Sequence, residues 1–297
     1  MNEAICKSSL LTFTNGIVHK GTSLARTITG TASGVSRITG KRLEEYRKGV
    51  FGSKNIFFYV TGNFSDSDLS CLAALIEKYE LSEGCEPRNN IAPLSKNHFK
   101  RSPEIEIKNS DFTMVRFTFD LDMKRVSVPE TDLIYDMLLS GYNSRFFIEM
   151  SELRGLFYDI SGALERYSNA GELYFAYEVK NKDLLSAVQI TVDILNDFKK
   201  KTHPSDELMK SGYVDNAYML YDDAREFNFT MAYDNHIMNL GYSSLEERIA
   251  AYEKVTAEDV RRAACEIFRP QNLTLTVKGN KKNIDTASLE KIISALG

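Results

Sequence analysis

The sequence is poor in the residues that mark several common protein classes. Its 297 residues include four cysteines, four histidines, six prolines and no tryptophan. The cysteines are scattered without a CxxC pair, which is typical of reduced thiols in a cytoplasmic protein rather than of a disulfide framework. The net charge of −4 gives no basic surface for nucleic acid.

Long apolar runs are missing as well. No stretch approaches the roughly 20 residues that a helix needs to cross a bilayer. The first seven residues, MNEAICK, lack the basic and apolar blocks of a signal peptide, so a cytoplasmic location is expected. With 43% hydrophobic and 26% charged residues the composition is that of a globular protein, and the length suits two domains.

One pattern occurs twice in the chain. The second member of each pair lies 217 positions after the first, with no gap: Thr39 and Thr256, Phe51 and Phe268, Asn55 and Asn272, Gly62 and Gly279. Each copy predicts a Thr-capped helix, a short strand (56–60 or 273–277), a Gly-Asn turn and a second helix. The constant offset indicates two copies of one structural unit, the alternative being two unrelated pieces of common type.

The offset also predicts how the chain is divided. It leaves only 80 residues for the first copy, so we expect a partial first domain at 1–82, a linker at 83–103 and a complete second domain at 104–297. The counterpart of residues 103–217 would then precede Met1. On this interpretation the chain is a fragment or a natural short form, or a separate chain supplies the rest.

Periodicity predicts the remaining elements. Strands are expected at 104–107, 112–121, 157–164 and 171–179, and helices at 130–139, 146–153 and 184–198. Residues 4–18 are predicted to be a helix broken near Asn15 and Gly16, residues 21–38 a loop, and residues 205–240 one long helical stretch. Strand pairs with helices around them favour an α+β fold.

Four passages of the sequence resemble motifs of one protein family. They are SLARTITGT at 23–31 beside "PLGRPILGT", residues 38–63 beside "ITREDL…YTPDNMVLVVVGN", SRFF at 144–147 with RGLFYDIS at 154–161 beside "SRLF…REKRGLAYSV", and residues 255–279 as the second-domain equivalent of the helix–strand passage. In this order, over nearly the whole chain, they resemble the M16 zinc metallopeptidases, the pitrilysin and processing-peptidase group. The resemblance implies two homologous α/β domains that enclose a peptide-binding chamber.

The resemblance also implies a zinc site that this chain does not carry. In the family, an H-x-x-E-H motif on the first domain binds the metal and a downstream Glu completes the ligands. None of the four histidines here has a second His on the same helix face. Glu3 lies near the position of the third ligand, although a solvated carboxylate at a helix start is the simpler interpretation. His203 and Glu207 have metal-ligand spacing, but the intervening Pro-Ser-Asp favours helix capping.

Substrate contacts are the second expectation from the family. Its second domain is expected to hold the substrate backbone through an Arg and a Tyr. Tyr158 matches the Tyr, whereas Ser151 stands at the position of the Arg. Arg154 or Arg145 could substitute for it. The strand that begins here could also pair directly with a peptide backbone.

These observations lead to three functional hypotheses. The first is an M16-family protein without the catalytic zinc site, inactive alone, that supplies the substrate-binding second domain of the chamber. The second is a zinc-free scaffold or partner subunit that pairs with an active M16 peptidase, and the third is a purely structural protein. No cofactor is expected in this chain, and zinc would belong to a complementing amino-terminal segment or partner. The expected partners are a peptide or small protein and an M16 chain or a second copy, with neither nucleic acid nor membrane.

Overall fold

The chain forms two compact units. The computed structural model describes residues 10–79, 81–85, 103–167, 170–201 and 204–297. Contacts group Met1–Arg26, Ile91–Tyr218 and Tyr242–Gly297 into what we call the sheet unit, and Thr27–Asn90 with Met219–Gly241 into the small unit. The predicted domains, 1–82 and 104–297, were inferred from the repeat rather than from contacts, and they stay a prediction.

Five strands and eleven α-helices lie in the described ranges. The strands are β1 (Glu104–Ile107), β2 (Phe112–Leu121), β3 (Ile160–Tyr167), β4 (Ala170–Lys180) and β5 (Leu273–Gly279). The helices are α1 (Leu10–Val18), α2 (Ala32–Val35), α3 (Gly40–Val50), α4 (Asp66–Glu77), α5 (Val128–Leu139), α6 (Leu184–Lys200), α7 (Pro204–Ala217), α8 (Ala224–Ala232), α9 (Leu245–Glu253), α10 (Ala257–Ile267) and α11 (Thr286–Ser294). Two short π-helices span Phe147–Glu152 and Tyr233–Ile237.

The five strands form one mixed sheet in the order β1-β5-β2-β4-β3. Only the β1–β5 pair is parallel. The register sets Phe117 of β2 opposite Phe175 of β4 and Leu275 of β5. Because side chains alternate along a strand, these residues share one sheet face, and they form the core with α5, α6, α10 and α11. A mixed helix-and-sheet fold is therefore confirmed.

The two copies of the repeat share local geometry. The amide of the third residue of α3 donates to Thr39, and the equivalent amide of α10 donates to Thr256. Both helices have 11 residues and end with nearly the same backbone angles, φ −85° and ψ 64° at Phe51 and φ −84° and ψ 65° at Phe268. Such agreement is expected when the same local pattern of residues sets the start and the end of each helix.

Replacing Thr256 by Ala is expected to lower the free energy of unfolding by about 1 kcal/mol. The Thr256 hydroxyl accepts from the Asp259 amide at 3.2 Å, and the Asp259 carboxylate accepts from the Thr256 amide at 3.0 Å. The bonds from Thr256 lower the pKa of Asp259, so this stabilisation is present above the unfolded pKa and is lost as the pH falls through the folded one. Urea denaturation followed by circular dichroism measures the change. Thr256→Ser keeps the hydroxyl, and equal stability of the Ala and Ser variants would contradict the capping role.

The predicted strand at 56–60 is the main difference between expectation and structure. These residues form no strand, and residues 56–61 make no backbone–backbone hydrogen bond to another described residue. Their counterpart, β5, lies between β1 and β2. A strand exists only where a neighbour completes its ladder, so propensity alone was insufficient here.

The expectations for residues 4–18, 21–38 and 205–240 were also wrong in detail. Helix α1 continues through Asn15 and Gly16, because burial of Leu10, Thr14 and Val18 along one face outweighs a glycine cost of about 0.5–1 kcal/mol. The expected loop at 21–38 contains the short helix α2 and a 3₁₀ turn at Ser23–Ala25.

The stretch at 205–240 is also not one helix. Asp223 accepts from the amides of Arg225 and Glu226 and thereby starts a new helix, α8. The strand expected at 157–164 instead begins at Ile160, and residues 157–159 form the end of the preceding loop.

No helix in the part of the chain that the structure describes is long and apolar enough to cross a membrane.

Candidate functional site

The second face of the sheet is polar and largely buried. Alternation in β2, β4 and β5 places the following side chains there: Arg116, Thr118, Asp120, Glu172, Thr274, Thr276 and Lys278. Each of these residues is at most 6% exposed. Buried polar groups require hydrogen-bond partners, so the elements that pack against this face have to supply them.

Helix α1 and the residue that follows it cover part of this face. The Thr14 and Thr276 hydroxyls lie 2.7 Å apart, and His19 Nε2 lies 3.1 Å from Glu172 Oε2. The other oxygen of Glu172 accepts from Arg116 Nη2 at 3.2 Å. Burial lowers the pKa of the Arg116 guanidinium, and the Glu172 carboxylate opposes that shift. Arg116 and Glu172 therefore form a buried ion pair on this half of the face.

The other end of the same face is open and forms a groove. The groove, which we call the strand-end groove, has a volume of about 480 Å³ and is lined by Phe112 and Met114 of β2, Ser161 of β3, Ala176, Tyr177, Glu178 and Lys180 of β4, and the loop 155–159. The register sets Met114 opposite Glu178 and Ser161 opposite Ala176. Apolar and charged side chains thus lie side by side on an accessible surface.

Tyr158 projects from the loop that borders this groove and is 97% exposed. The residues around it are fixed: the Ser151 hydroxyl donates to the Phe157 carbonyl at 3.1 Å, and the Phe157 ring stacks on Tyr177 at 5.4 Å. Ser151 occupies the position where the family resemblance led us to expect an Arg. In this chain it anchors the loop that presents Tyr158.

Strand β3 forms one edge of the described sheet. It pairs with β4 on one side, and the sheet order gives it no neighbour on the other side among the described strands. Apart from the Gly162 carbonyl, which accepts from the Tyr135 hydroxyl at 2.9 Å, its outer backbone groups can therefore pair with an added extended chain. Such a chain would run beside Ser161 and Tyr158.

The two predicted arginines lie elsewhere in the sheet unit. Arg145 is buried, with Nη2 2.7 Å from Asp206 and Nη1 3.5 Å from Asp197. Arg154 lies 2.6 Å from the Glu149 carboxylate. Both line a second cavity of about 270 Å³ between the first π-helix and α6. The structure thus brings the arginines together in a cavity that Tyr158 does not line, and their substrate roles stay a prediction.

Sequence reasoning missed the strand residues of the groove. Phe112 and Met114 are exposed apolar residues on the polar side of β2. Large apolar side chains that interrupt the polar half of an alternating strand are the signal that could have identified them. The residues paired with them on the neighbouring strand β4, Lys180 and Glu178, carry no sequence signal of their own.

The two metal-ligand patterns considered in the sequence, at Glu3 and at His203 with Glu207, stay untested. Glu3 and His203 lie outside the described residues, so neither Glu3 nor the pairing of His203 with Glu207 can be described. Within the described ranges, no three His, Cys, Asp or Glu side chains are placed to hold a metal ion.

Comparison with known proteins identifies related sequences and folds. The family model for the peptidase M16 inactive domain matches residues 37–211. No curated protein matches the chain. Among solved structures, the peptidase M16 inactive domain from Pseudomonas fluorescens is similar, with a TM-score of 0.78 and 17% identity over 91% of this chain and 65% of that one.

Two further structures share the fold. Complex III2 from Candida albicans matches with a TM-score of 0.74 and 14% identity, covering 97% of this chain and 70% of that one. A protease from Helicobacter pylori matches with a TM-score of 0.67 and 14% identity, covering 86% of this chain and 62% of that one. The chain thus spans about two thirds of the length of the structures it matches, and the likeness concerns the fold.

Proposed function

The chain belongs to the peptidase M16 inactive-domain family, and on that premise we propose that it binds an extended peptide at the strand-end groove without cleaving it. The observation that carries the proposal is the groove itself: an open cavity of about 480 Å³ beside the edge strand β3, bordered by the exposed Tyr158. In this role the chain would supply the substrate-binding wall of a peptide chamber.

The binding mode follows from the groove's components. The outer edge of β3 supplies backbone donors and acceptors whatever the peptide sequence. Phe112 and Met114 supply apolar contacts, and Tyr158 supplies a large ring that loses little conformational entropy on binding. Glu178 and Lys180 offer one charge of each sign, so the groove would favour peptides of mixed polarity over strongly charged ones.

Catalysis is not part of the proposal. The 297 residues contain no H-x-x-E-H motif, so this chain does not carry the family's zinc-binding pair or the Glu between them. We propose that hydrolysis, where it occurs, depends on zinc ligands outside these residues.

Replacing Tyr158 by Ala is expected to weaken peptide binding about tenfold, as for other exposed aromatic anchors. Fluorescence anisotropy with fluorescein-labelled casein, an unfolded polypeptide, measures the affinity. Tyr142→Ala is the matched control, because Tyr142 is 80% exposed in the same unit and does not line the groove.

Two results would contradict the proposal. One is equal weakening by the Tyr142 and Tyr158 variants, which would place binding elsewhere. The other is cleavage of casein by the purified chain in the presence of added zinc, which would show that a complete catalytic site exists within these residues.

A second candidate function is a zinc-free subunit that pairs with an active M16 peptidase. The exposed apolar surface of the small unit favours it. The two functions are compatible, since the groove and that surface involve different residues.

A further inference from the structure

The second cavity of the sheet unit, which we call the mixed-charge cavity, lies between the first π-helix and α6 and has a volume of about 270 Å³. Three isoleucines line it, Ile148 from the π-helix and Ile190 and Ile194 from α6. The two walls pack on each other beneath it: Met150 of the π-helix is buried, and its sulfur lies 3.6 Å from the Thr191 hydroxyl of α6. The cavity is therefore preformed and partly apolar, as small-molecule sites usually are.

Charges of opposite sign stand on the two walls of this cavity. The wall that includes the π-helix contributes the guanidinium groups of Arg145 and Arg154, and α6 contributes the carboxylates of Asp193 and Asp197. An ion of one sign would meet repulsion from one of the walls. A molecule that carries one charge of each sign can pair with both walls at once.

Two of these charged groups keep unused hydrogen-bonding capacity. Arg154 uses only Nη1, which donates to Glu149, and its Nε and Nη2 groups donate to no other described residue. Asp193 Oδ1 accepts from the Gln189 side-chain amide at 2.9 Å, and no described residue donates to its Oδ2. The cavity therefore offers free donors on one wall and a free acceptor on the other.

Arg145 is the buried charge of the lining, at 8% exposed. Asp206, which does not line the cavity, holds its Nη2 at 2.7 Å. Its Nη1 makes only an ion contact of 3.5 Å with Asp197, which is longer than an ordinary N–H···O hydrogen bond. A buried donor with so distant a partner gains from a closer acceptor, such as the carboxylate of a ligand.

We propose that the mixed-charge cavity binds a free aliphatic dipeptide. The carboxylate of the dipeptide pairs with Arg154 and with Arg145 Nη1, its ammonium group pairs with Asp193, and its aliphatic side chain contacts the three isoleucines. The size agrees, because the cavity has the volume of about nine water molecules at roughly 30 Å³ each. A peptide unit separates the two charges of a dipeptide, so each charge can reach its own wall.

Peptide hydrolysis releases compounds of this class, so the cavity would respond to the products of a peptidase reaction rather than to its substrates. The inference does not depend on peptide binding at the strand-end groove. The two sites have different linings, and their failures can be told apart.

Isothermal titration of the 297-residue chain at pH 7 measures binding of the dipeptide Ala-Leu. Two analogues each lack one charge: N-acetyl-Ala-Leu has no ammonium group, and Ala-Leu-amide has no carboxylate. Each is expected to bind about tenfold more weakly or worse, because one charged wall would be left without its partner. Free leucine, whose two charges share one carbon, is also expected to bind about tenfold more weakly.

Two variants assign each charge of the ligand to one wall. Arg154→Gln and Asp193→Asn are each expected to weaken Ala-Leu binding about tenfold. Arg154→Gln is also expected to reduce the preference for Ala-Leu over its amide to about threefold or less, and Asp193→Asn to reduce the preference over the acetylated form in the same way. Both side chains are exposed, so the thermal melting of the variants should be unchanged.

Matched controls lie outside the cavity. Arg269 has the same side-chain exposure as Arg154, 41%, and likewise pairs with a nearby glutamate, Glu266 at 3.3 Å. Asp215 is exposed on α7. Neither residue lines the cavity, so Arg269→Gln and Asp215→Asn are expected to leave the affinity for Ala-Leu unchanged. Tyr158→Ala is expected to leave it unchanged as well, although it weakens casein binding at the strand-end groove.

Several outcomes would overturn the proposal. They are no measurable binding of Ala-Leu, equal affinity for Ala-Leu and either analogue or leucine, full-strength binding by both cavity variants, an equal loss in the control variants, and a loss in Tyr158→Ala, which would place the dipeptide in the strand-end groove.

Discussion

Replacing Glu172 by Ala is expected to lower the free energy of unfolding by about 3–5 kcal/mol, the typical cost of breaking a buried ion pair. Glu172 is 2% exposed and faces two basic groups, Arg116 at 3.2 Å and His19 at 3.1 Å. Without the carboxylate, Arg116 would remain charged on a buried sheet face. Urea denaturation followed by circular dichroism measures the loss.

A matched control lies on the same strand and the same face. Glu178 is exposed, so Glu178→Ala is expected to change the free energy of unfolding by less than about 0.5 kcal/mol. If both variants lost the same amount, the cost would reflect strand β4 in general rather than the buried pair. A fully stable Glu172→Ala protein would contradict the stabilising role of the buried ion pair.

Replacing Phe268 by Ala is expected to cost about 3–5 kcal/mol, as for other fully buried aromatic side chains. Phe268 is 0% exposed and meets Phe119 edge-on at 5.0 Å and Phe198 at 6.4 Å. Its removal would leave a cavity between the sheet and α6. The same denaturation experiment measures this loss on the isolated chain.

The repeat supplies the control for this variant. Phe51 stands at the equivalent position with nearly the same backbone angles, yet it is 58% exposed. Phe51→Ala is therefore expected to change the stability of the isolated chain by no more than about 0.5 kcal/mol. A large loss at Phe51 would contradict the exposed position that the structure gives this side chain.

Much of the fold was predictable because it is set by local chemistry. Thr39 and Thr256 identified two helix starts, and the Ser127 and Glu130 side chains cap α5 in the way their spacing predicts. The alternation of β2 and the apolar stripe of α6 located two central elements of the core. These signals lie within a few residues of the structure they determine.

The candidate site was predictable only in part. Tyr158 was identified from its resemblance to a family motif, and the structure places it beside a groove. Arg145 and Arg154 were chosen for the same role, but their neighbours, Asp206 and Glu149, are distant or unremarkable in sequence. Which arginine faces a substrate and which one forms an ion pair depends on the packing of helices, which spacing along the chain does not encode.

The sequence by itself determined the repeated pattern, the helix starts at Thr39 and Thr256 and the family, because a constant offset and local caps can be read without knowing any long-range contact. Only the tertiary structure decided that segment 273–277 becomes the strand β5 while segment 56–60 pairs with no strand in the part of the chain that the structure describes. The physical reason is that a strand gains its hydrogen bonds and its buried face from neighbours. The same local pattern is therefore a sheet centre where β1 and β2 flank it and an exposed apolar surface where they do not.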